Sequence, residues 1–60
     1  MPELERILAH EIYVIREELD IEGSSEHDMW LAKKFTLYLK NKKFDYDNFY
    51  IWLMEEMAGA

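Results

Sequence analysis

The sequence predicts an all-α fold, a compact three-helix bundle with helices over about residues 3–21, 25–41 and 46–58. Three observations lead there. Apolar residues recur at three- and four-residue spacing in three separate stretches. Each stretch opens or closes on residues that start or stop helices. The breaks between them are short, as bundle connections are.

The first stretch places Leu4, Leu8, Ile12, Ile15 and Leu19 in one continuous stripe. Pro2 suits a first helical turn, and Glu3 and Glu5 sit at the positive end of the helix dipole. A thinner stripe runs through Ile7, Val14 and Ile21 at seven-residue intervals, with Glu11 and Glu18 between the two. Either both stripes are covered by the other helices, or the thin one is a seam for a second copy of the chain. Ile7, Val14 and Ile21 are therefore the candidate self-association residues.

Glu22-Gly23-Ser24-Ser25 interrupts the pattern. Gly23 is expected to take the left-handed conformation that ends a helix, and Ser24 or Ser25 to cap the next one.

The second helix directs Leu31, Ala32, Phe35, Tyr38 and Leu39 inward. Lys40, Lys42 and Lys43 lie where the dipole favours cations. Its other side carries Trp30 and Leu37, bordered by Lys33, Lys34, Lys40 and Asn41. Apolar anchors ringed by polar groups typify interface hot spots. Trp30, Leu37, Lys33 and Lys34 are accordingly the candidate protein-binding residues. The competing expectation is that Trp30 folds against the Gly23 loop or the C-terminal tail and is merely half-buried.

The third stretch is the most apolar, and the rest of the chain is expected to fold around it. Asp45 is its N-cap, and Phe44 and Phe49 occupy the two positions of a hydrophobic staple. Tyr46, Phe49, Tyr50, Leu53 and Met57 share one face, and Ile51, Met54 and Ala58 a second. A helix apolar over more than half its girth is buried on two sides, or meets another chain with one of them.

Sixty residues imply one domain, residues 1–60, near the lower limit for a core without staples. Cysteine is absent, so neither disulfides nor thiolate metal sites hold it together. The longest apolar run, Phe49 to Met54, is too short to cross a bilayer, and the acidic start is wrong for a signal peptide. A cytoplasmic protein without membrane contacts is expected.

The net charge of −6 conceals an asymmetry. Residues 1–28 carry nine carboxylates against Arg6 and Arg16, residues 33–43 five lysines and no acid, and residues 44–60 four acids and no base. Nucleic-acid binding through the lysines is disfavoured, because no arginine accompanies them and the flanking segments would repel phosphates.

Chemistry is not indicated. His10-Glu11 lacks the second histidine of a zincin helix. Asp45, Asp47 and Glu56 match three calcium-loop positions, but Phe49 and Tyr50 stand where a ligand and the turn glycine belong. Glu17-Glu18 and Glu55-Glu56 diverge on a helix, and His10 and His27 have no proton-transfer partner in view. No metal, no cofactor and no enzymatic activity are therefore expected. The function that remains is that of a small acidic, non-catalytic regulator or inhibitor which binds another protein through exposed apolar anchors. Its alternatives are a nucleic-acid-binding helical domain using the lysine-rich second helix, or a structural homodimer.

Overall fold

A computed structural model describes residues 2–40 and 42–59. It is a three-helix bundle: α1 spans Pro2–Leu19, α2 Ser25–Leu39 and α3 Tyr46–Gly59. The predicted class and element order are therefore the observed ones. The extension of the second helix to Asn41 falls partly outside the described residues.

Each helix boundary has a local cause. α1 stops at Leu19, two residues before the expected end, because Asp20 adopts φ 55°. The Ile21 amide then donates to the Arg16 carbonyl (2.9 Å) and the Asp20 amide to the Glu17 carbonyl (3.3 Å). This is a Schellman ending. Gly23 was expected to supply the left-handed residue; Asp20 supplies it instead, and Gly23 has no positive φ.

Ser24 caps α2, its hydroxyl accepting from the His27 amide at 3.1 Å. At the other end the chain turns at Lys40, where φ is 51° and ψ −117°. α3 starts as the sequence predicts: the Asp45 carboxylate accepts from the Asp47 amide (3.2 Å), and the Phe44 and Phe49 ring centroids lie 6.2 Å apart.

The core draws on all three helices: Leu8, Ile12 and Ile15, then Leu31, Ala32 and Phe35, then Phe49 and Leu53. α1 and α2 make the closest approach. Small Ala32 in the core, with Ala9 packed against it, suits two backbones that lie close together. α3 is held by larger groups. The Phe35 ring meets Phe49 and Trp52 edge-on, with centroids 5.0 and 5.2 Å away. Such pairs add about 0.5–1.5 kcal/mol each beyond the area they bury.

The interior is narrower than the apolar stripes. Leu19 ends its helix exposed, Tyr38 lies against Phe35 and Trp52 with about half its surface in solvent, and Tyr46 and Tyr50 keep much of theirs there too. On the second side of α3, Ile51 is exposed and Met54 half-buried. Two-sided burial of α3 is thus incomplete. With three short helices, each can offer the shared interior little more than one row of side chains.

Candidate protein-binding surface

Trp30 and Leu37 lie seven residues apart on α2, and so on one side of it. The α2 core residues Leu31 and Phe35 face the interior, which leaves this side outermost. Trp30 is 52% exposed and Leu37 73%. Lys33 and Lys34 are exposed beside them, as is Lys40 at the end of the helix. Asn41, expected at the border, lies outside the described residues.

The indole is held in place rather than free. His27 stacks against it with ring centroids 5.6 Å apart and planes tilted by 20°. Lys34 Nζ lies 5.0 Å from the ring centroid, within cation–π range. The same Nζ reaches Glu56 Oε1 of α3 at 2.8 Å. Trp30 also lines a shallow hollow with Leu31, Glu55, Glu56 and the terminal turn at Gly59. The expected contact with the C-terminal end of the chain therefore exists in part, while half the indole remains open. Lys34 is a paired cation; Lys33 has no such partner among the described residues.

The α1 seam is less regular than its heptad spacing predicts. Ile7 is 61% exposed, Val14 half-buried, and Ile21 lies beyond the helix in the turn. Ile7 and Val14 share a side of α1; Ile21 does not extend that side. Its carbonyl instead accepts from Arg16 Nη1 at 3.1 Å.

Two further features carry weight that periodicity did not give them. Arg16 and Asp28 are both buried and form a bidentate pair, Nε to Oδ1 and Nη2 to Oδ2, each at 2.8 Å. The Asp28 hydrogen bonds, working against desolvation, hold the Arg16 guanidinium above its ordinary pKa. Gly23 lies against this guanidinium: a Cβ there would sit 2.9 Å from Arg16 Nε. This cluster ties the α1–α2 turn to both helices. The sequence signal was a charge on each apolar stripe, Arg16 one turn after Ile12 and Asp28 one turn before Ala32.

The second feature is an open apolar hollow of Tyr46, Tyr50 and Ile51 with Asp47 at its edge. The Tyr46 hydroxyl donates to Glu11 Oε2 at 3.3 Å. Partial burial first, and the Glu11 carboxylate second, raise the Tyr46 pKa above its ordinary value.

Among the described residues, no three His, Asp or Glu side chains converge as a metal site, and no helix is long and apolar enough to cross a membrane. No family model, curated protein or solved structure matches the chain.

Proposed function

We propose that this chain is a small, non-catalytic regulator or inhibitor that acts by binding another protein through the outer face of α2. The observation that carries this reading is the pairing of exposed Trp30 and Leu37 one heptad apart on the side facing away from the core. Neither side chain is needed to fill the interior, yet each would give up substantial apolar surface to a partner. His27 and Lys34 hold the indole in one orientation, which reduces the entropy lost on binding. Lys33 and Lys40 border the anchors and favour a partner with carboxylates at matching places. We place this activity in the cytoplasm as part of the same reading. The fold rests on apolar burial and the buried Arg16–Asp28 ion pair, neither of which depends on redox state.

Affinity capture from the native host with wild-type, Trp30→Ala and Leu37→Ser chains tests the reading. A hot-spot truncation costs about 2 kcal/mol or more, so each variant should retain about one-thirtieth of the wild-type affinity. Helical circular dichroism should be unchanged. Equal capture by all three chains would contradict the reading. A nucleic-acid mobility shift that weakens steeply with salt would favour the lysine-based alternative.

A further inference from the structure

Two partly apolar faces of opposite charge sit on opposite sides of this protein. On α1, Ile7 and the edge of Val14 are surrounded by Glu3, Glu11, Glu17 and Glu18, all within about a quarter-turn by helical spacing, with His10 among them and Arg6 at the margin. On α2, Leu37 is flanked by Lys33 and Lys40, while Trp30 lies beside Lys34, which is paired with Glu56, and has Glu55 and, by helical spacing, Glu26 near it. Each face spans one heptad, about 10.5 Å along its axis. The spacing of the apolar pair therefore matches, and the lysines at the Leu37 end complement the glutamates that frame the α1 seam.

The buried ion pair fixes how the faces are related. Arg16 and Asp28 meet across the α1–α2 interface. Ile7 stands nine positions before Arg16, and Leu37 nine after Asp28, which is about half a revolution on an α-helix. Ile7 therefore points away from α2, and Leu37 away from α1. Faces directed oppositely cannot both be satisfied within one two-fold pair, so a contact between them repeats from copy to copy.

We propose that the lysine-framed α2 face of one copy takes the glutamate-framed α1 seam of the next, so that the chain assembles head to tail. This rests on the reading of the Trp30–Leu37 face as a protein-binding surface and names a second copy as its occupant. A standard interface takes about 800 Å² from each partner, about a sixth of this chain's 4697 Å² surface. Two anchors on one heptad cover less than that. The association is consequently weak, concentration-dependent and reduced by salt.

Sedimentation velocity on the purified chain, with two single-face variants, tests the proposal. Ile7→Lys disables the α1 seam and Leu37→Glu the α2 face, both at exposed positions where the fold tolerates a charge. The wild-type chain should sediment faster with rising concentration, pass beyond dimer, and revert towards monomer in high salt. Each variant alone should be monomeric, its self-association weakened by about thirtyfold or more. An equimolar mixture retains one live face on each partner, and should form a 1:1 complex of twice the 7.3 kDa chain mass that grows no further. A wild-type chain that stays monomeric at millimolar concentration overturns the proposal. So does Leu37→Glu dimerising alone, or a mixture that stays monomeric. If the wild-type chain is monomeric while Trp30→Ala still loses a captured protein, self-assembly fails and the binding face stands. If neither is observed, both readings fail.

Discussion

Arg16 is the residue on which the α1–α2 turn depends. Its guanidinium makes two hydrogen bonds to Asp28 and one to the Ile21 carbonyl, and Gly23 leaves room for it. Removing one partner leaves the other as an unpaired buried charge. Asp28→Ala or Arg16→Ala should therefore lower unfolding stability by about 3–5 kcal/mol in urea titrations. Gly23→Ala should destabilise the wild-type chain by about 1–3 kcal/mol and cost less in the Arg16→Ala background, because the clash is with Arg16 itself. Because the Arg16 pKa is raised, its contribution is present throughout the range below the ordinary arginine value and is lost only as pH climbs through the higher folded value. Tyr46 follows the same sign: its raised pKa makes a contribution that is complete below pH 10.0 and lost as pH rises through the folded value. Absorbance titration of the tyrosinates should show a late-ionising component that Tyr46→Phe removes. The Arg16–Asp28 pair was only half-legible in the sequence. A charge on an apolar stripe is visible there, but its partner depends on how the turn brings the two helices together.

At the scale of the elements, the helix ends carry measurable strain and stabilisation. Ser24→Ala removes the cap of α2 and should cost about 1 kcal/mol. Asp20 and Lys40 hold positive φ without being glycine, so Asp20→Gly and Lys40→Gly should each raise stability by about 1 kcal/mol. Thermal or urea unfolding of the three variants checks both signs. The start of α3 was fully legible, because a cap and a staple are local patterns within five residues. The end of α1 was not. Gly23 is the residue best suited to a left-handed position, yet the chain turns three residues earlier. There the Asp20 and Ile21 amides can still reach α1 carbonyls, and Gly23 is needed instead for its missing side chain.

For the whole molecule, the central feature is the division between a small shared core and a surface that keeps large apolar groups. Leu53→Ala should cost about 2–5 kcal/mol, whereas Leu37→Ser should stay within about 0.5 kcal/mol of wild type by urea unfolding. Trp30→Ala, which loses its contacts with His27 and Lys34, should cost about 1 kcal/mol by the same measurement. Large losses from both surface variants would mean that those groups serve the fold and not a partner. Periodicity placed Trp30 and Leu37 on the side of α2 away from its core residues, and left open whether the other helices cover Ile7, which the structure leaves exposed. It overstated the reach of the interior at Tyr38, Tyr46, Tyr50 and Leu19, since a stripe read from one helix takes no account of how little surface two short neighbours can cover. The claim that the outer face of α2 meets another protein is tested most directly by photocrosslinking in the native host, from a reactive side chain placed at position 37. A discrete protein adduct is expected from position 37, to a second copy or to another chain, and none from the exposed turn position of Glu22. Absence of any adduct at 37, or equal yield at both positions, would contradict that claim.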